Sequence, residues 1–531
     1  MMLSESFQMY KILRVFTLFF FVPTFLFAKV TPEEGSALNY RIIGFSFPDK
    51  PGAVKYKLQI ATGSCSSETS FQKNIIVTVS SNQNKIVAEV PAFGEQYTWR
   101  VTFEDSHSKF TNSELSHFST MTCPDVDKDS VRLRITHAPE KYKDHYVFVD
   151  GNKVLYDMMG NPVWFFPKIE NRKPGSIHLR DLHATRFGTI TCIVNGRLYE
   201  MNYNGEILWQ GPDNPDIPMD TMAADRGYHH EFIRLPNGHY MAMGFEQPYW
   251  RLPAPPDSSI YVYWPDKIMR DGHNNYYQKM FFSTILEYDE QGKIVWKWKD
   301  SDYFKTSDIA TRMIGTLFDV NDTHANAFYF DPKTQDIFIS YREICRIIQI
   351  HYPDHSVLHT YGKLHKPTNH VDRHLLNGLF CGQHSCKVSS DGYLYMFNNN
   401  ICHRNSRPTI LMLKQPPTGK DTLEKVWEYE CPLDEPGEPQ SGVFSYGGNV
   451  SELPDSAFFV CMGGLYGKLL IVNRDKKVLW SGQPEKWDGN THGWIKDGVM
   501  IDNKMKEGSY RASIITKTEL ASVIWNEQQK Q

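Results

Sequence analysis

The chain has no run of basic residues, a formal net charge of only −4 over 531 residues, and few long stretches with helical periodicity. The first two features argue against a nucleic-acid partner, whose phosphates call for a clustered cationic face. The third excludes a helical bundle. Because aromatics, Gly and Pro are plentiful, an all-β protein is the natural inference. No pair of CxxC spacings occurs among the nine cysteines, so a structural zinc site is not encoded. No cluster of carboxylates and amides of the kind a calcium site needs stands out either. What is present is enough apolar material, 41% hydrophobic and 14% aromatic, for a large core split over more than one domain.

The apolar run Val15 to Phe27 follows Lys11 and Arg14 and is too short for an ordinary spanning helix. Leu26-Phe27-Ala28 offers small-residue cleavage after Ala28, so residues 1–28 read as a signal peptide, with Met9 an alternative start. No cysteine stands at that point, which argues against a bacterial lipid anchor. Export to a periplasm or beyond is expected, with an uncleaved membrane anchor as the alternative. In an exported chain nine cysteines permit disulfides and leave at least one thiol over. Cys65 with Cys123 would close the first domain and Cys381 with Cys386 would brace the loop between them, while Cys402 with Cys431 competes.

Residues 29–125 read as a small β-sandwich of the immunoglobulin or fibronectin type III kind. The runs YKLQIAT, NIIVTVS, KIVAEV, YTWRVTFED and LSHFST alternate and are separated by polar turns, with Trp99 facing inward. Nothing in this part suggests chemistry.

Residues 130–531 carry a repeat. GNKVLYDMMGNPVWFFP, GRLYEMNYNGEILWQGP, STILEYDEQGKIVWKWK, CRIIQIHYPDHSVLHTYG, PTILMLKQPPTGKDTLEKVWEYE and GKLLIVNRDKKVLWSGQP are six versions of one hairpin. Five end in tryptophan, at Trp164, Trp209, Trp296, Trp427 and Trp480, and the fourth has Leu358 there. Their spacing of roughly fifty to ninety residues fits four-stranded blades with insertions, which predicts a six-bladed β-propeller.

A second kind of strand alternates with these hairpins. His230, His324 and His384 each stand seven residues before the first residue of a turn, at Asn237, Asp331 and Asp391. Three equivalent strands would point three imidazoles at one place, beside the central channel. Alternation puts Asp322, His324 and Asn326 on one face, and the next strand brings up Ser340 and Arg342. An imidazole, an amide and a guanidinium together suit an anion with several oxygens. His229 would point the other way. Tyr228, Phe232, Tyr341, Phe380 and Phe397 lie in or beside these motifs and would either wall a ring-shaped substrate or pack the core.

HHEFIRLPNG, then NDTHANAFYFDPKTQDIFISYREICRI, then GQHSCKVSSDGYLYMFNN together resemble the bacterial aryl-sulfate sulfotransferases, over nearly the whole mature chain. The resemblance implies a periplasmic propeller with an N-terminal sandwich. It implies transfer of a sulfuryl group from a phenolic sulfate ester to a phenol, without a nucleotide donor, through a transiently sulfated histidine. His384 matches that nucleophile; His324, Asn326, Arg342 and His230 match the remaining site residues. The family also has a hydroxyl contributor near its C-terminal part, for which Ser445 and Thr491 are candidates. No cofactor and no metal is expected. The expected partners are the donor ester and acceptor phenol, with no nucleic acid, no membrane insertion after signal cleavage, and a homodimer as a candidate assembly. The rival readings are a quinoprotein dehydrogenase, a metal-dependent hydrolase or lyase using the three histidines as ligands, and a non-enzymatic binding propeller.

Overall fold

The computed structural model describes residues 30–526 apart from 122–125, 140, 170–177, 218–226, 252–267, 306–322, 343, 363–377, 402–406, 418–421, 433–446, 465–466, 497–499, 502–503 and 506–508. The expected signal peptide, Cys123, Asp322, Cys402 and Ser445 lie outside the described residues. Strand dominates the rest.

In the first part, Ser36–Leu38, Ser116–Thr120, Gln96–Asp105, Ala53–Thr62 and Ile75–Ser81 form one sheet in that order, with Phe110–Asn112 added to Gln96–Asp105. Ile42–Ser46 and Lys85–Glu89 form a second. The sheets meet where Trp99 packs edge-on against Phe45, ring centroids 5.1 Å apart.

Six further sheets contain four consecutively paired antiparallel strands each. Sheet 1 runs Pro162–Phe165, Val154–Asp157, His145–Val149, Ala512–Thr516, and sheet 2 runs Leu179–Ala184, Ile190–Val194, Arg197–Met201, Ile207–Gln210. Sheet 3 is Tyr228–Arg234, Tyr240–Glu246, Phe282–Tyr288, Ile294–Lys299; sheet 4 is Ala325–Asp331, Asp336–Tyr341, Arg346–His351, Val357–Tyr361. Sheet 5 is His384–Val388, Leu394–Asn398, Thr409–Lys414, Glu424–Glu430, and sheet 6 is Asn449–Glu452, Phe458–Met462, Lys468–Val472, Val478–Asp488. Each sequence hairpin is the outer pair of one sheet. Each histidine strand is an inner edge.

The burial pattern explains the sequence pattern. Second strands such as Asp336–Tyr341 and Phe458–Met462 are buried along their whole length, because sheets cover both faces, and they read as unbroken apolar runs. The outermost strand Ile207–Gln210 is mostly exposed. Contacts between inner strands run from Ala512–Thr516 to sheet 2, then to sheets 3, 4, 5 and 6 in turn, and sheet 6 touches Ala512–Thr516 again.

The repeated tryptophan ties five of these sheets to the next. The indole N–H of Trp164 donates to Tyr203 O at 3.0 Å, that of Trp296 to Tyr352 O at 2.7 Å, and that of Trp427 to Arg474 O at 2.8 Å. Trp480, on sheet 6, donates to Met158 O of sheet 1 at 2.9 Å. Trp209 stacks on Tyr240 instead, 3.8 Å between centroids. Two strand pairings also span the chain's extremes: Val131–His137 joins Val478–Asp488 of sheet 6, and Ala512–Thr516 completes sheet 1.

A helix not anticipated from the pattern, Lys517–Asn526, follows that last strand and buries Leu520, Val523 and Ile524. Its start is a capping box, Thr516 Oγ1 accepting from Glu519 N at 3.1 Å and Glu519 Oε2 from Thr516 N at 2.7 Å. It rests on Gly44 of the first part, where a Cβ would lie 2.6 Å from the Ile524 side chain. Only glycine lets the helix so close.

None of the three anticipated disulfide pairings is present. Cys65, Cys386 and Cys431 are free, buried thiols, and Cys386 packs in the core between sheets 4 and 5 rather than facing Cys381. Cys381 itself is disulfide-bonded.

Trp480→Ala removes a fully buried indole and leaves Met158 O without its donor, so it should lower unfolding stability by about 3–5 kcal/mol. In sheet 4 the register puts His359, paired with Gln349, where the other sheets have tryptophan, and leaves Leu358 exposed beside it rather than in that position as the sequence suggested. Leu358→Ala should therefore change stability by less than about 0.5 kcal/mol. Chemical denaturation midpoints of the two variants check the contrast.

Candidate functional site

The inner strands do not alternate simply. Register shifts interrupt the pairing of Leu179–Ala184, Tyr228–Arg234, Ala325–Asp331 and His384–Val388 with their neighbours. At or next to each shift stands a non-glycine residue in left-handed backbone: Asp181 (φ 55°), His230 (φ 61°), His324 (φ 54°) and Ser385 (φ 53°). Such a conformation costs about 1–2 kcal/mol per residue, so the surroundings must enforce it. Bulges of this kind re-aim side chains.

His230, His324 and His384 come together around a residue that sequence reasoning did not single out, Tyr510. The rings of His230 and His324 are 5.7 Å apart, those of His230 and Tyr510 5.7 Å, and those of His384 and Tyr510 6.1 Å. The Tyr510 hydroxyl lies 3.2 Å from His384 Nε2. The Arg180 guanidinium covers the Tyr510 ring at 4.0 Å. Thr491, one of the two hydroxyl candidates, instead closes a turn by donating to Asp488. Nothing in the motif spacing marked Tyr510, since it reaches the site from the strand that completes sheet 1.

His229 also belongs here, contrary to the strand-alternation reading. Its Nδ1 lies 2.5 Å from Nδ1 of His230, because the bulge between Tyr228 and Phe232 turns both imidazoles to one side. Its ring stacks on Phe245 at 3.8 Å.

Protonation follows from the partners. His229 Nε2 is 3.1 Å from Gly244 O, a carbonyl that only accepts, so that nitrogen carries the proton and Nδ1 the lone pair. The 2.5 Å contact then requires His230 to donate from its Nδ1, which leaves the His230 lone pair on Nε2. For His384, Nδ1 lies 3.1 Å from Gly382 O and 2.8 Å from the Asn399 amide nitrogen. That amide has two hydrogens and two carbonyl acceptors, Gly382 O at 2.8 Å and Gly447 O at 3.2 Å. His384 therefore donates from Nδ1 to Gly382 O and keeps its lone pair on Nε2, facing the tyrosine.

Burial, together with the cations Arg342 and Arg511 and the neighbouring His324, holds His384 well below the usual histidine range. Burial and His229 do the same to His230, and burial holds His229 at about 3. All three are neutral at pH 7.

Arg342 is buried and follows the strand Asp336–Tyr341, its backbone N–H donating to His324 O at 2.9 Å. Asn326, fully buried, spends one amide hydrogen on Gln383 O at 2.7 Å, and among the described residues its Oδ1 has no partner. Ser340 takes a hydrogen bond from Gln383 Nε2 at 3.2 Å, so it braces the loop before His384. Tyr228, Phe232, Tyr341, Phe380 and Phe397 are core residues between sheets, not walls of the site.

Arg511 anchors the floor. It donates to Asp181 Oδ1 at 2.8 Å, His230 O at 2.8 Å and Asn326 O at 2.9 Å, and pairs with Glu231 at 2.9 Å. Asp181, His183 and Glu231 bring ligand-type atoms within 4.8 Å of one another, the one such group among the described residues. Those two carboxylates already hold a permanent cation, so the donor set suits a guanidinium better than a metal ion. Burial raises Glu231 to about 7, whereas His183 and Arg511 hold Asp181 low against the same effect.

Fold and site together define an all-β protein with a buried cluster of neutral imidazoles and guanidinium groups. Residues 266–449, which include His324, Asn326, Arg342 and His384, match the family model described as arylsulfotransferase (ASST). That match supports an arylsulfotransferase-type function and small phenolic substrates in general terms. Nothing among the curated proteins matches the chain. Among solved structures it is similar to a protein of unknown function from Bacteroides caccae, at 12% identity over 73% of this chain and 99% of that one, with a TM-score of 0.35. It is also similar to Hsv2 from Kluyvelomyces marxianus, at 9% identity over 78% and 94%, with a TM-score of 0.28. Among the described residues, no helix is long and apolar enough to cross a membrane.

Because His229 has its pKa lowered on folding, the unfolded chain binds a proton that the folded chain excludes. Stability is full above about pH 6.5 and is lost as pH falls from there towards about 3. Denaturation of His229→Gln between pH 7 and pH 4 should show a shallower loss than the parent chain.

Proposed function

We propose that this protein is an aryl-sulfate sulfotransferase that passes a sulfuryl group from a phenolic sulfate ester to a phenol through a sulfated His384. The observation that carries the reading is the buried, neutral His384 with its N–H fixed on Gly382 O and its Nε2 lone pair directed into the cluster. A nucleophile of this kind needs no base to activate it.

The six sheets are taken as the blades of a β-propeller, closed by the strand Ala512–Thr516 and by the tryptophan bridges, with residues 29–125 as a β-sandwich packed beside it. The histidines then sit at the inner edges of blades 3, 4 and 5, around the central channel. Residues 1–28 are read as an export signal, which places the reaction in a periplasm or outside the cell.

In the first half-reaction Nε2 of His384 attacks sulfur, the bond to the aryl oxygen breaks, and the phenol leaves. Charge spreads over three equatorial sulfuryl oxygens, as in phosphoryl transfer, so alignment and electrostatics carry the catalysis. Arg342 offers forked cationic donors to those oxygens, and Asn326 its second amide hydrogen. His230, with its lone pair on Nε2, suits the acceptance of a proton rather than its donation. In the second half-reaction the acceptor oxygen attacks sulfur and His384 is released. A ping-pong cycle follows.

Intact-mass measurement after brief mixing with an aryl sulfate, without acceptor, should show one added sulfuryl group that maps to His384 and disappears when a phenol is supplied. His384→Ala should abolish turnover, and full activity in that variant would exclude the nucleophile. Arg342→Ala should slow transfer by about 10²-fold or more while circular dichroism stays that of the parent. Phenol release into water at the same rate with and without acceptor would make the protein a sulfatase instead. Since the His384 pKa is depressed, the rate of sulfuryl capture should stay flat from pH 8 down through about 6.5 and fall only below it.

A further inference from the structure

A neutral imidazole carries one N–H, and His384, His230 and His229 each have it committed. That of His384 is turned to Gly382 O, that of His230 to His229 Nδ1, and that of His229 to Gly244 O. None of the three has a proton to give to an aryl oxygen as it leaves sulfur. The reaction nonetheless expels a group whose conjugate acid, for a simple phenol, has a pKa of about 10.

The hydroxyl of Tyr510 is 3.2 Å from the attacking nitrogen, close enough to reach the oxygen that departs from a sulfur bound there. We infer that Tyr510 is the general acid and base of the cycle, a role that rests on the sulfuryl-transfer reading above. As the S–O(aryl) bond breaks, its electron pair takes the Tyr510 proton and the free phenol leaves. Tyr510 remains as phenolate, and His384 carries the sulfuryl group on Nε2. In the second half-reaction the acceptor phenol gives its proton to the Tyr510 oxygen, its own oxygen bonds to sulfur, and the N–S bond breaks with its electrons returning to His384. No other reactant is needed.

Three features suit this residue to the task. It is itself a phenol, so proton exchange with either substrate is nearly balanced in energy and runs equally well in both directions. The Arg180 guanidinium over its ring at 4.0 Å, with Arg511 at 6.0 Å, stabilises the phenolate. Burial nevertheless keeps the hydroxyl above its ordinary pKa and therefore protonated at rest, against the pull of Arg180, Arg511 and Arg342. Its backbone is also fixed: Asp150 accepts from the N–H of Tyr510 at 3.0 Å and from that of Arg511 at 2.8 Å.

The test is single-turnover loss of donor across a series of aryl sulfates whose leaving phenols span low to high pKa, from 4-nitrophenol to unsubstituted phenol. Tyr510→Phe keeps the ring under Arg180 and removes only the hydroxyl. Its deficit should be small for the nitrophenyl ester and grow to about 10²-fold or more for the phenyl ester. A deficit of the same size for every donor would reduce the hydroxyl to a positioning role and overturn the inference. So would a leaving-group dependence that appears in His324→Gln and not in Tyr510→Phe. If the parent chain forms no sulfuryl adduct with any donor, the sulfuryl-transfer reading falls, and this one with it.

Discussion

One buried cation holds the centre together. Arg511 reaches carboxylates on two inner strands and carbonyl oxygens on two, joining sheets 2, 3 and 4 to the strand that completes sheet 1. Desolvating a guanidinium is costly unless its hydrogens are matched, and removing either partner of such a pair typically costs about 3–5 kcal/mol. The carbonyls it grips belong to His230 and Asn326, both at backbone irregularities. Arg511 therefore fixes the floor of the site as well as the fold.

From that floor upward the site is made by backbone geometry more than by residue choice. Left-handed residues at His230 and His324, and at Ser385 beside His384, turn side chains out of the two-sided alternation of a strand and into one space. Carbonyls then decide where each proton sits: Gly244 O through His229 for His230, and Gly382 O for His384. Outside the site, Asp300 performs a related service. It accepts from Tyr341 at 2.6 Å, Thr323 at 3.1 Å and the Ser283 N–H at 3.0 Å, pinning the residue just before His324. Burial raises Asp300 to about 7 in spite of these bonds.

The repeat was legible in the sequence because five of the six outer hairpins carry an indole with a physical task, bridging to or stacking on the following sheet. The histidine register was legible because turns sit at a fixed distance from the inner edge of each sheet. Three things were not. Strand alternation misplaced His229, since the bulge that brings it beside His230 depends on pairing with Tyr240–Glu246, some distance along the chain. Tyr510 escaped notice because it follows no repeat motif and arrives by way of the closing strand. The cysteine pairings failed because spacing says nothing about burial, and Cys65, Cys386 and Cys431 are each enclosed in separate packed regions. The C-terminal helix did have a signal, Thr516 and Glu519 three apart ahead of apolar residues at Leu520, Val523 and Ile524.

The strand Ala512–Thr516 pairs with His145–Val149, a partner made several hundred residues earlier. During synthesis the first sheet must therefore wait with an open edge until the last part of the chain emerges. Tyr510 and Arg511 sit immediately ahead of that strand, so the same event that seals the edge also delivers a hydroxyl and a guanidinium to the histidines. A chain cut short ahead of Tyr510 leaves that edge unpaired and the histidines without either group beside them.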